Sequence, residues 1–149
     1  MNKRDFIKSI AAMSSLTLLS AESWAFSADK RLRTAHIGLG GMGKSDLASI
    51  SSHANVDVVA LCDVDSEVLA GVKSKFPNAK TYKDYRVMLK ELSNEIDAVI
   101  VSTPDHTHAP ASMMAMELNK PVYCQKPLTH YVEEARAMDK MAKDKKLVT

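Results

Sequence analysis

From residue 32 onward, apolar runs with little polar interruption alternate with stretches whose apolar residues recur at helical spacing. "LRTAHIGLG" reads as a strand running into a glycine loop, and "MGKSDLASISSH" as the helix after it. "VDVVALCD" is an almost unbroken valine-rich run, the pattern of a strand buried on both faces. "DSEVLAGVKSKF" reads as a helix opened by Asp65 or Ser66 and ended before Pro77. "AKTY" is a short strand, and "DYRVMLKELS" an amphipathic helix with Val87, Leu89 and Leu92 on its apolar side. "IDAVIVST" is a second fully buried strand, and "DHTHAPASMMAMELN" a helix with Asp105 or Thr107 as cap and Asn119 as its stop. "PVYCQK" is a strand, "THYVEEARAMDKMAKDKK" a long helix, and "LVT" the first residues of a sixth strand. Such alternation calls for right-handed crossovers and an α/β fold, a doubly wound parallel sheet in the order 3-2-1-4-5-6. Ligands then bind at the C-terminal ends of the central strands, where the order reverses.

The first strand end is the most informative. "GLGGMG" fits G-x-G-x-x-G as Gly38, Gly40 and Gly43, with Gly41 and Met42 inside the same loop. In that pattern the first glycine makes the tight turn, the second lets a pyrophosphate approach the backbone, and the third lets helix and strand pack closely. Asp63 lies 20 residues beyond Gly43, at the end of the second strand. There a carboxylate accepts hydrogen bonds from both adenosine ribose hydroxyls and repels a 2′-phosphate, which points to NAD rather than NADP. Together these features predict a Rossmann dinucleotide-binding domain over residues 32–149.

The fourth and fifth strand ends carry "STPDHTH" and "YCQKPL". Pro104 directs the chain out of the sheet, and Pro127 holds Lys126 extended. A lysine at the rim of a nucleotide crevice is suited to proton transfer, although most lysines are simply solvated. His106 and His108 are two residues apart and share no helix face, which is poor spacing for a metal, and no metal is expected. Cys62 and Cys124 end strands three spacings apart, roughly 14 Å, beyond the ~7 Å reach of a disulfide; both read as buried apolar residues. Met113, Met114 and Met116 read as core filling.

"GLGGMG", "STPDHTH" and "YCQKPLTH", in this order and spacing, resemble the glucose–fructose oxidoreductase/inositol dehydrogenase (Gfo/Idh/MocA) family over residues 32–149. The resemblance implies an NAD(P)-dependent oxidoreductase acting on a sugar or polyol-type carbinol. Its E-K-P signature falls on Gln125, Lys126 and Pro127, which makes Lys126 the catalytic proton-transfer residue, in contact with substrate and nicotinamide. Its T-P-x-x-x-H segment places Thr103, Pro104 and His108 on the nicotinamide side. Gln125 departs from the family's glutamate, keeping hydrogen-bonding capacity but losing a charge beside Lys126. Family members continue into an α/β domain with further catalytic residues, so this chain is expected to be the N-terminal part of a longer homo-oligomeric enzyme, binding nucleotide but not turning over substrate by itself. Two other readings remain: an NAD-dependent glycosidase on the same fold, working by transient oxidation and elimination, and a nucleotide-binding module without catalysis.

Composition adds little. The 149 residues are 46% hydrophobic and 26% charged with a formal charge of +2, an ordinary globular balance with no basic nucleic-acid footprint. No apolar run is long enough to span a membrane. Residues 1–25 differ: Lys3, Arg4 and Lys8 precede an apolar stretch and a small-x-small site, Ser23 to Ala25, the order of a signal peptide. "KRDFIK" resembles a twin-arginine signal with Lys3 in place of the first arginine, so export to the periplasm is expected, with residues 26–31 as linker.

Overall fold

The structure, a computed structural model, describes residues 31–149, so the proposed signal peptide and most of the linker lie outside the described residues. Five strands form one parallel sheet in the order β3-β2-β1-β4-β5. They are β1 (Leu32–Ile37), β2 (Val56–Cys62), β3 (Lys80–Tyr82), β4 (Ala98–Val101) and β5 (Val122–Cys124). The helices are α1 (Gly41–Ser51), α2 (Ser66–Lys73), α3 (Tyr85–Glu91), α4 (His108–Glu117) and α5 (Val132–Lys145), with one 3-10 turn at Asp105–Thr107. The doubly wound architecture and the order of its first five strands match the sequence expectation.

Side-chain alternation along the strands builds two cores. Leu39, Leu47, Leu61, Leu69 and Ala79 pack under α1 and α2. On the other face Ala35, Ile37, Cys62, Val99 and Val101 meet Met88, Leu89 and Leu92 of the α3 region and Ala111, Ala115 and Met116 of α4. Val87, expected on the apolar side of α3, is 45% exposed, while Met88 is fully buried. The helix runs only from Tyr85 to Glu91, and its short arc turns Met88 and Leu89 rather than Val87 to the sheet. Met116 is core as expected, and Met114 packs against the same cluster.

Asp65 caps α2, its Oδ1 accepting from the amides of Glu67 and Val68. Asn119 follows α4 with φ +59°, the left-handed stop expected of it. The expected cap of α4 is not formed: neither Asp105 nor Thr107 caps that helix through its side chain. Asp105 is engaged elsewhere, with Oδ1 accepting from the His106 amide and Oδ2 lying 3.1 Å from His130 Nδ1. The expected sixth strand is not formed either. Residues 147–149 make one ladder-like bond to β5, from Val122 N to Val148 O, too little to define a strand.

Register is what positions the site. Tyr82 pairs with Cys62, Cys62 with Ile37, Ile37 with Val101 and Val101 with Cys124, so one row of residues crosses all five strands at their C-terminal ends. This row separates the two cysteines by three strand spacings, and both are free thiols. Burial pushes the Cys62 thiol up to about 12, leaving it a neutral apolar wall. Cys124 is only half-buried, more exposed than the buried apolar residue expected.

His36, the penultimate residue of β1, is 1% exposed, and its Nε2 lies 3.1 Å from Thr34 Oγ1. Desolvation lowers its pKa from 6.5 to about 4, with the nearby Asp46 charge opposing the shift. Between those values the unfolded chain binds a proton that the folded chain refuses, so this contribution to stability is complete above pH 6.5 and is lost as pH falls toward 4. Within that window each pH unit of acidification should cost up to about 1.4 kcal/mol. Urea unfolding from pH 7 to pH 4 should show this decline, and His36→Gln should flatten it; an equal slope in the variant would assign the decline to other groups.

Candidate functional site

The residues that follow the cross-strand row form the floor of a crevice of about 710 Å³. Gly38 follows Ile37, Asp63 follows Cys62, Lys83 follows Tyr82, Ser102 follows Val101 and Gln125 follows Cys124, and all five line it. Met42, Thr103, Pro104, His106 and Lys126 complete its walls. A second cavity of about 630 Å³ lies between α1 and α2, shares only Gly40 with the crevice and contains none of the other expected site residues.

The glycine loop is built to close tolerances. Gly38 has φ +84°, and a Cβ there would lie 2.7 Å from the Ser102 carbonyl. A Cβ on Gly43 would lie 2.1 Å from Gly38 O, so helix α1 packs against the turn only through a glycine. At Gly40 a Cβ would meet nothing within 4 Å, which leaves open space above the backbone. Gly40 is the N-cap of α1 without a side-chain capping bond, and the first turn of the helix holds no acidic residue. The Gly43 amide donates to Gly40 O at 2.8 Å; the Gly41 and Met42 amides have no carbonyl a turn earlier in the helix to bond, and together with the helix dipole they favour an anion.

Asp63 does more than its sequence position suggested. Its Oδ2 accepts from the Leu39 amide at 2.7 Å and its Oδ1 from the Asp65 amide at 2.9 Å. The carboxylate therefore ties the glycine loop to the end of β2. A carboxylate has about four lone-pair positions, so two remain for hydroxyl donors in the crevice.

The nicotinamide-side residues divide. Thr103 and Pro104 line the crevice, and Thr103 Oγ1 is a buried atom with no hydrogen-bond partner among the described residues, a polar group left for a ligand. His108 does not open on the crevice. It is 1% exposed, with Nδ1 2.8 Å from Pro127 O and Nε2 2.6 Å from Thr103 O. It links the loops after β4 and β5 from behind, holding the walls rather than forming one. Gln125 lines the crevice and Lys126 is exposed at its rim, with a cis peptide between Lys126 and Pro127.

Sequence reasoning missed Lys83, Ser102 and Asp46. Lys83 and Ser102 were within reach of the rule that ligands meet residues just beyond strand ends, applied to every strand. Asp46 carries no such signal: it sits in the second turn of a helix and reaches the site only through Ser102 and Gln125. Among the described residues no cluster of His, Cys, Asp or Glu could hold a metal, and no helix is long and apolar enough to cross a membrane.

A glycine turn into an uncapped helix, a carboxylate at the end of β2 and a crevice at the reversal of strand order define a dinucleotide-binding domain. Comparison with known proteins gives the family. Residues 32–149 match the oxidoreductase family described as an NAD-binding Rossmann fold, and the chain belongs to that family, Gfo/Idh/MocA. A glycosyl hydrolase family 109 protein of Stenotrophomonas maltophilia is 33% identical over 134 residues, covering 84% of this chain and 29% of the relative. An inositol 2-dehydrogenase of Rubrobacter xylanophilus is 30% identical over 108 residues, covering 72% of this chain and 30% of the relative. The crystal structure of myo-inositol 2-dehydrogenase from Lactobacillus plantarum superposes with a TM-score of 0.71 at 32% identity, over 77% of this chain and 34% of that one. The chain thus spans about three-tenths of the length of these curated relatives.

Two glycine substitutions separate folding from binding. Gly40→Ala, at φ −85° and in open space, should lower the unfolding free energy by no more than about 1 kcal/mol, the size of an N-cap change, yet weaken NAD binding at least roughly tenfold, because its methyl occupies the pyrophosphate's approach. Gly43→Ala should lose both binding and stability, the latter by about 1–3 kcal/mol. Calorimetric titration beside urea unfolding reads both, and tight NAD binding by Gly40→Ala would move the pyrophosphate away from this loop.

Proposed function

We propose that this chain is the cofactor half of an oxidoreductase that moves a hydride between NAD and a carbinol carbon of a sugar or polyol. One observation carries the reading: a single row of paired strand ends delivers the glycine loop, Asp63, Thr103 and Lys126 to one crevice. The residues present fit the dinucleotide, with space above Gly40, an uncapped helix start and an orphan hydroxyl at Thr103. NAD, when bound, supplies the hydride acceptor or donor. The loop and the α1 amides hold the pyrophosphate, and Asp63 accepts from the ribose hydroxyls. Thr103 and Pro104 wall the nicotinamide side. Lys126 takes the substrate's hydroxyl proton during oxidation and returns it during reduction.

A second reading is supported by the 33% identity to a glycosyl hydrolase family 109 protein: a glycosidase in which NAD is reduced and re-oxidised within one turnover. Incubating the longer protein with NAD and free sugars or polyols, then with aryl glycosides, separates the two. Net NADH with free substrates supports the oxidoreductase; aglycone release without net NADH supports the glycosidase. NAD binding without either activity would favour a non-catalytic nucleotide-binding module.

The leader pattern around Lys3 and Arg4 supports export to the periplasm, and the family resemblance supports a homo-oligomer for the longer form.

Two outcomes test the assignments. NAD should bind more tightly than NADP, because the Asp63 carboxylate repels a 2′-phosphate; tighter NADP in parallel titrations would overturn that role. Lys126→Ala in the longer protein should lower kcat by about 10²–10⁴-fold while NAD affinity is retained; an unchanged kcat would remove Lys126 from proton transfer.

A further inference from the structure

Asp46 is a carboxylate on α1 with only 8% of its surface exposed. Two side chains from distant segments donate to it. Ser102 Oγ, just beyond β4, lies 2.6 Å from its Oδ2, and Gln125 Nε2, just beyond β5, lies 2.9 Å from its Oδ1. Gln125 is committed at its other end as well, where its Oε1 accepts from the Lys126 amide at 3.0 Å. One chain of bonds therefore runs from the helix of the pyrophosphate loop, through Gln125, to the backbone of Lys126.

We infer that Asp46 is a positioning residue for the nicotinamide side of the crevice, holding Ser102 and the Gln125–Lys126 segment at the strand ends. The inference rests on the reading of this crevice as the NAD site. It also accounts for the departure of residue 125 from the glutamate of the family signature. A glutamate there has no proton to give Asp46 and would bring two carboxylates to hydrogen-bonding distance of each other. Glutamine supplies a donor to Asp46 and keeps an acceptor for Lys126. An acid at 46 and an amide at 125 are thus complementary, with the negative charge carried on α1 rather than beside Lys126.

The test exchanges the two groups. Gln125→Glu, Asp46→Asn and the double variant Asp46→Asn/Gln125→Glu are compared with the parent by urea unfolding and by titration with NAD and with ADP-ribose, which lacks the nicotinamide. Gln125→Glu should weaken NAD by about tenfold or more, equivalent to roughly 1.4 kcal/mol, while ADP-ribose changes by less than about twofold. The double variant has an amide at 46 donating to a carboxylate at 125 and should recover most of the lost NAD affinity and urea midpoint. Additive losses in the double variant would overturn the clamp. A parallel loss of ADP-ribose affinity would overturn the assignment to the nicotinamide side and leave a purely structural contact. Should the parent bind neither ligand, the NAD reading fails and this assignment with it, while the urea midpoints still decide whether the Asp46–Gln125 bond exists.

Discussion

The site depends on the hydrogen-bond ladder continuing one residue past the ends of β1, β2, β4 and β5. The amide of Gly38 donates to Cys62 O, that of Asp63 to Tyr82 O, that of Ser102 to Ile37 O and that of Gln125 to Val101 O, at 2.8–3.1 Å. Each of these four residues is at once the last group held by the sheet and the first to face the crevice. Backbone bonds in a parallel ladder fix both separation and register, so the glycine loop, the Asp63 carboxylate and the Thr103–Pro104 wall inherit the sheet's precision. The opposite edge is secured independently by the Arg33–Asp97 pair, at 2.7 Å, which joins β1 to the start of β4.

Beyond that last ladder bond the chain leaves the sheet, and side chains take over. Asp63 ties the glycine loop to β2, His108 ties the turn after β4 to the turn after β5, and Asp46 ties α1 to both. The two carboxylates act only as acceptors from amide and hydroxyl donors, so neither uses a lysine, and Lys83 and Lys126 stay at the walls of the crevice. The bonds to the Asp63 and Asp46 carboxylates are charge-assisted and contribute about 1.5–3 kcal/mol each, comparable with the cost of ordering a short loop.

Local signals made much of this legible in the sequence. The unbroken apolar runs named β2 and β4, the glycine spacing named the loop, and Asp63 stood at the distance the motif requires. What stayed hidden depends on which face a residue turns to once packed. Val87 and Met88 are neighbours of similar hydrophobicity, and only the placement of α3 on the sheet decides between them. His108 reads as a site residue because it follows Thr103 and Pro104, yet the helix that begins with it carries its ring inward to two carbonyls. Asp105 reads as a cap, but His130, distant in sequence, draws its carboxylate away and, by that hydrogen bond first, holds its pKa below 3.8. Partners distant in sequence decide both placements, Pro127 for His108 and His130 for Asp105, and no short window of sequence contains either pair.

Hydride transfer, the chemistry proposed for this crevice, would give this economy of ties its purpose. The reaction tolerates little error in the separation and angle of donor and acceptor carbons, and a misplacement of about 1 Å is enough to cost two orders of magnitude in rate. A nicotinamide ring offers few polar atoms by which a protein could correct its own looseness. On the proposed assignment the wall that meets it must be rigid before the cofactor arrives, and Lys126 must be rigid with it. In this chain both belong to segments anchored twice, by a ladder bond at Ser102 or Gln125 and by a side-chain bond to Asp46. On that assignment helix α1 would work at both ends of the dinucleotide, its N-terminal amides toward the phosphates and, one turn later, its buried carboxylate bonded to Ser102 and Gln125 in the frame around the ring.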